Sequence, residues 1–295
     1  MSANLIELRR RIRSIRNTRK ITRAMKTISA AKLRKSVVEI NKARPYLKRV
    51  EELLRRLHRE VDPQRFPLLQ VREEGDRVLV VLTGDKGLCG AFNSHIMRRM
   101  SEFLEESRRE DQAVRLVTLG NRGHAHCIRR DIAVERNFPG IMAHTSHDDA
   151  GQVTEFLSEL FLEHQVRDIS FLYTEFASAS RQEVTLKTVF PILYRADENE
   201  DAEEKEKERE TIYEPSAEAV FAAILPRFLR SRIFQLLMES QASEHAARMM
   251  AMDLASRNAG DMIQSLTLIL NKARQASITN ELLEIITATE ALKNQ

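Results

Sequence analysis

A chain of 295 residues, 42% of them apolar, is long enough for one large or two medium domains and apolar enough to bury a core. Its 47 basic and 43 acidic residues nearly cancel, leaving +4, so the total charge does not by itself mark a nucleic-acid binder. No apolar run approaches the roughly 18–20 residues of a membrane-crossing helix, and Cys89 and Cys127 are too few for a disulfide framework and read as buried thiols.

The charge is unevenly placed. Between Arg9 and Val38 there are twelve Lys or Arg and no acid, whereas 197–210, "DENEDAEEKEKERE", is strongly acidic. No apolar core follows the first charges, which excludes a secretory signal, and the helical pattern runs on past any transit-peptide cleavage window, through Glu39, Tyr46 and Leu57. Leu5, Leu8, Ile12 and Ile15 follow 3-4-3 spacing; Thr18, Ile21, Met25 and Ile28 resume it after two steps of three, which predicts a stammer in a coiled-coil seam. Pro45 is expected to kink this helix and "DPQRFP" to end it near Asp62.

The period then changes. "RVLVVLT" (77–83), "VRLVTLG" (114–120) and "ISFLYTEF" (169–176) read as strands, separated by helical patterns at 93–109 and 150–165. Strands alternating with helices predict a parallel α/β sheet, and "QEVTLKTVF" (182–190) reads as an added edge strand. The acidic stretch at 196–212 is expected to be a mobile loop without assigned function. From Pro226 onward there is no proline and one glycine, Gly260, predicting a helix on the order of 100 Å. Met252, Ala255, Ala259, Met262, Leu266, Ile269, Ala273 and Ala276 mark its seam, and Ile278, Leu282, Leu283, Ile285, Ile286 and Leu292 cover about half of its circumference near the end. That stripe is wider than one partner helix covers, which favours enclosure by other chains.

The fold expected is therefore α/β with long helical arms: an antiparallel coiled coil of the terminal helices (1–62 and 213–295) plus a central Rossmann-like domain (75–195). Candidate chemistry is sparse. The glycines of "TGDKGLCGAFN", Gly84, Gly87 and Gly90, match neither the dinucleotide fingerprint nor the P-loop. "HAHC" (124–127) and "HTSHDD" (144–149) hold metal-capable side chains at spacings of no recognised zinc set, and there is no nucleophile motif. No catalytic residue, cofactor or metal is expected. A basic coiled-coil nucleic-acid-binding protein is the main alternative, disfavoured because no aromatic side chain lies between residues 1 and 45 to stack on bases; a nucleotide-binding enzyme is the third.

Three stretches, "IRSIRNTRKITRAMKTISAAKLRK" (12–35), "DKGLCGAFN" (85–93) and "SEHAARMMAMDLASRNAGDMIQSLTLILNKARQASITNELLEI" (243–285), closely resemble the gamma subunit of F-type ATP synthases. The resemblance implies a non-catalytic central rotor shaft inside a ring of alternating alpha and beta subunits, its α/β domain beside the epsilon subunit and the membrane ring of c subunits. Carried over by position, it implies that Arg274, Gln275 and Thr279 meet mobile loops of alpha and beta. Arg23, Met25 and Lys26 would lie near an acidic lever region of beta, Tyr213 and Glu214 at the foot near the c ring, and Ile278, Leu282, Ile285 and Ile286 in an apolar sleeve. The basic residues of the first helix would find counter-charges on Asp253, Asp261 and the ring. Neither cysteine lies in a regulatory insert of the chloroplast type, Lys86 and Ala91 vary the commoner family loop, and a family motif starting near Met1 implies no transit peptide and the cytoplasmic face of a bacterial plasma membrane.

Overall fold

A computed structural model describes residues 2–163, 166–192 and 213–293. The acidic stretch at 196–212 lies outside the described residues. The elements in chain order are α1 (Ser2–Glu60), β1 (Asp76–Leu82), α2 (Phe92–Arg109), β2 (Val114–Leu119), α3 (Asn121–Ile128), β3 (Arg136–Phe138), α4 (His147–Glu163), β4 (Val166–Phe176), β5 (Gln182–Phe190) and α5 (Ala217–Lys293). They fall into two compact units. One contains residues 1–30 and 248–295, the other residues 31–247.

The larger unit is built on a five-stranded sheet of order β3-β2-β1-β4-β5. The first four strands are parallel and β5 pairs antiparallel with β4, Leu172 opposite Leu186. β1 is central, so both its faces must be apolar, and the period of two sorts them. Leu79 and Val81 face a cluster with Phe92, Ile96, Met100 and Phe103 of α2 and Cys127 of α3. Val78, Val80 and Leu82 face the other cluster, with Ile40, Leu47, Leu54 and Leu57 of α1, Val153 and Leu157 of α4, and Phe221, Leu225 and Leu229 of α5. The sheet is thus a middle layer, and the segments of α1 and α5 in this unit belong to its core.

Two elements escape the sequence pattern. β3 has only three residues, too short for a period to show, and α3 carries a glycine and no apolar stripe of useful length. The helix starts are better marked. Ser146 and Asp149 form a capping box at α4, with Ser146 N–H donating to Asp149 Oδ2 at 2.9 Å and Asp149 N–H to Ser146 Oγ at 3.1 Å. Ser146 and Asp149 of "HTSHDD" therefore open a helix. α5 starts nine residues before Pro226, where Ser216 Oγ accepts from Ala219 N–H. α1 is continuous through Pro45, which sits on its exposed face, where the missing donor costs least.

In the smaller unit the end of α5 runs antiparallel to the start of α1. The seam of α1 contains no stammer. Leu5, Leu8, Ile12, Ile15, Thr22, Lys26 and Ser29 are among its less exposed positions and with the exposed Arg19 form unbroken steps of three and four, while Met25 of the expected seam is half-buried beside Lys26. Thr22 and Ser29 are 8% and 3% exposed, whereas Ile21 and Ile28 are 61% and 58% exposed. Small polar side chains fill the narrow layers here, and the two isoleucines stand on the outer face. On α5 the less exposed set includes Met252, Ala255, Ser256, Ala259, Ile263, Leu266, Leu270, Ala273 and Ser277. Met262, Ile269 and Ala276 of the expected seam are therefore replaced by the residue that follows each, while Ala255 stays half-buried. Met262 and Ile269 are each about half exposed, and their neighbours Ile263 and Leu270 take the inner places. An apolar residue stands at both candidate positions, so spacing alone could not choose between them.

Candidate functional site

In a doubly wound sheet the carboxyl ends of the strands, where the chain order reverses, are the usual binding place. Here that point lies between β1 and β4, and the loop after β1 is "TGDKGLCGAFN". Most of its polar groups are paired within the chain, while Asp85 Oδ2 is buried without a hydrogen-bond partner. Gly84 N–H donates to Asn93 Oδ1 at 2.9 Å, and Asn93 Nδ2 reaches Cys89 Sγ at 3.1 Å. Asp85 Oδ1 accepts from Asn121 N–H at 3.0 Å and Gly140 N–H at 3.2 Å, which sets a carboxylate at the N-terminus of α3. Thr83 Oγ1 accepts from Gly123 N–H at 2.8 Å.

Glu244 of α5, 4% exposed, completes this closure. A Cβ at Gly84 would stand 2.9 Å from its carboxyl carbon, so the loop has a glycine where the carboxylate leans on it. The chain's own carboxylates occupy the places an anion would take. Burial raises the Cys127 thiol, disfavouring the reactive thiolate. His147 stacks on Phe234 at 4.0 Å and Asp148 pairs with Arg230 at 3.0 Å, so both have structural work. Among the described residues no group of three His, Cys, Asp or Glu is placed to hold a metal.

The residues singled out by resemblance fall into three separate groups. Arg274, Gln275 and Thr279 are exposed on α5, with Thr279 Oγ1 donating to the Gln275 carbonyl at 3.0 Å. Ile278, Leu282, Ile285 and Ile286 follow on the same helix and are all exposed. Arg23, Met25 and Lys26 lie on α1, level with the region of Asp253, about 30 Å along α5 from Arg274 at 1.5 Å per residue. Arg23 is exposed and Met25 half-buried. Lys26 is engaged within the chain, its Nζ donating to Asp253 Oδ1 at 2.6 Å, while Arg257 donates to Oδ2 of the same carboxylate. These donors, Lys26 first, hold the Asp253 carboxyl below the usual carboxylate range. Tyr213 packs against the larger core and Glu214 is exposed.

Asp253 is thus one of the counter-charges expected for the basic helix; Asp261 has no α1 partner among the described residues. The sequence reading missed Glu244 against Gly84, which no local spacing encodes, and the outward Ile21 and Ile28. The latter were detectable, because an unbroken heptad from Leu5 emerges once Thr22 and Ser29 together with the basic Arg19 and Lys26 are admitted to seam positions.

The family model described as ATP synthase matches residues 4–292. A protein named ATP synthase gamma chain from Moorella thermoacetica is 39% identical over 291 residues, covering 99% of this chain and 100% of the relative. The chain belongs to the ATP synthase gamma chain family. A gamma chain of Geobacter metallireducens, also 39% identical, covers 99% of both. Among solved structures, a Euglena gracilis mitochondrial ATP synthase chain superposes with a TM-score of 0.67 at 18% identity, over 99% of this chain and 95% of that one. A Tetrahymena thermophila chain, from a structure titled central stalk and c-ring, gives 0.61 at 24% over 80% and 99%. These two matches speak for the fold. Membership of the gamma family leaves the nucleic-acid-binding alternative without support.

Proposed function

We propose that this gamma chain is the non-catalytic rotor of an F-type ATP synthase, coupling ion flow through a ring of c subunits to the catalytic sites of the beta subunits. One observation carries the reading. From residue 278 to 287 every side chain of α5 is exposed, and among them are Ile278, Leu282, Leu283, Ile285 and Ile286. An exposed apolar surface over about half of a single helix is costly in water unless other chains cover it. Non-directional apolar contact holds an axle without preferring one angle, whereas Arg274 and Gln275 supply directional hydrogen bonds that can differ between states of the ring.

In this reading alpha and beta enclose the α1/α5 pair, with Arg23 and Met25 facing beta, and the α/β unit with Tyr213 and Glu214 meets epsilon and the c ring. The chain sits peripherally on the cytoplasmic face of a bacterial plasma membrane, and its partners supply the attachment, since no described helix is long and apolar enough to cross a membrane.

The test is the double substitution Arg274→Ala/Gln275→Ala in the assembled complex. A contact shifts a rotary state only by its differential energy, so ATP hydrolysis and proton pumping should fall roughly three- to tenfold while the complex still assembles. Hydrolysis and pumping at wild-type levels would remove these residues from torque transmission.

A further inference from the structure

The sheet of the larger unit has two edges, and they differ. β3 has three residues, too few to template a partner, whereas β5 has nine, and its only strand partner among the described residues is β4. A long edge strand presents a row of unpaired N–H and C=O groups on which a strand of another chain can add. The segment 184–190, "VTLKTVF", is a strong template of this kind: rich in β-branched residues, without proline, and charged only at Lys187. Lys187 does not stand outward like an ordinary surface lysine. It lies opposite Phe171 in the antiparallel register, and opposed residues share one face of the sheet. Phe171 is fully buried in the core that the sheet forms with α1, α4 and α5, so Lys187 reaches into the same layer and is half-buried there. That layer is polar near the edge. Gln235 Nε2 donates to Glu239 Oε1 at 2.8 Å, and Arg232 donates to Gln235 Oε1 at 2.9 Å. Burial lowers the Lys187 pKa and Arg232 adds to the fall, while Glu239, Glu175 and Glu51 oppose it.

We propose that Lys187 keeps the free edge of β5 from pairing with the same edge of a second copy of this chain. One edge is complementary to itself about a two-fold axis, so a second copy is the partner always at hand. An added strand lies about 4.8 Å from β5 and sets its own side chains beside Lys187. It thereby closes the open side of the strand, past which a long inward side chain turns its ammonium to water. A charge already half-buried then loses the rest of its hydration, a cost that an apolar residue at this position does not carry. The one carboxylate on β5, Glu183, is paired with Arg181 at 2.9 Å and does not answer it. Without Lys187 the run 184–190 is an uncharged template from end to end. The opposite edge has no need of such a residue, because β3 is short. The inference concerns the chain while this edge is bare, and it is independent of the rotor reading.

The experiment is self-association of the full-length chain, followed by sedimentation over a concentration series, with hydrogen exchange to locate the contact. Lys187→Val should lower the dissociation constant for self-association at least tenfold relative to the wild type. In the associated species the amides of 182–190 should gain protection while the other strands keep theirs. Association through other surfaces, the apolar end of α5 included, is common to both chains and drops out of the ratio. Lys187→Gln, which removes the charge but keeps a polar side chain, should shift association in the same direction and decides the matter if the valine variant folds poorly. Lys187→Arg, which retains the charge, should behave as the wild type. The proposal is overturned if the valine and glutamine variants associate no more than the wild type, if they associate without added protection in β5, or if the arginine variant associates as they do.

Discussion

The two compact units of this chain use the same pair of helices in different ways. Within residues 31–247, α1 and α5 contribute Leu54, Leu57, Phe221 and Ile233, which are fully buried together with Phe171 and Phe161 in a core several layers deep. Within residues 1–30 and 248–295 the helices share one seam, and at Thr22, Lys26 and Ser29 that seam is polar. A helix against a sheet gains stability from area, each large apolar side chain contributing about 1.5–3 kcal/mol. A helix against one other helix has little area to bury, so its specificity rests on individual layers and its remaining apolar surface is left for other chains.

The contrast can be broken most forcefully at the deep core. Phe171→Ala in β4 should destabilise the chain by about 3–5 kcal/mol in urea unfolding, since the surrounding layers cannot close the cavity; a loss below about 1 kcal/mol would mean the core is far looser than described. Next comes the loop at the strand ends. Gly84→Ala should cost about 1–3 kcal/mol by forcing the buried Glu244 carboxylate from its place, and Gly84→Ala/Glu244→Ala should recover part of that loss.

A smaller effect concerns Glu239, buried on α5. Burial raises its pKa above the ordinary carboxylate value, Glu175 adds to the rise, and a hydrogen bond from Gln235 with the Lys187 and Arg232 charges opposes it. A carboxyl whose pKa is higher folded than unfolded favours the fold while protonated, and that contribution is lost as pH rises through the folded value. Glu239→Gln should therefore gain on the wild type as pH increases above the usual carboxylate range, measured as urea midpoints across a pH series; parallel curves would contradict the assignment. The smallest effect belongs to the outer face of the paired helices. Ile21→Ser should leave the stability of the isolated chain within about 0.5 kcal/mol, although an apolar residue is lost, because that side chain is already in water. A substantial loss would return Ile21 to the seam.

Much of this architecture is legible in the chain. The runs at 77–83, 114–120 and 169–176 locate three of the parallel strands, and Val184, Leu186 and Val189 suffice to mark the added antiparallel one. The terminal helices are legible from a period sustained far beyond a globular helix. The seam in the smaller unit is less so. Thr22 and Ser29 are buried because a narrow layer between two close helices takes a small side chain, while a reading by hydrophobicity chooses the adjacent Ile21 and Ile28. On α5 the choice between Met262 and Ile263, or Ile269 and Leu270, depends on which face meets α1. Candidate contacts such as Arg274 and Gln275 are legible only through resemblance, since their exposure distinguishes them from no other polar pair on the helix.

The sequence by itself determined the types of the elements other than β3 and α3, the parallel pairing implied by alternating strands and helices, and the unequal placement of charge, because each is set by local periodicity and side-chain chemistry. Only the tertiary structure decided which face of each long helix is the seam, that Lys26 answers Asp253 from 227 positions away, and that Glu244 closes the loop at Gly84. These are matters of register and approach between distant segments. They depend on how two repeating surfaces are set against each other, which neither surface specifies alone.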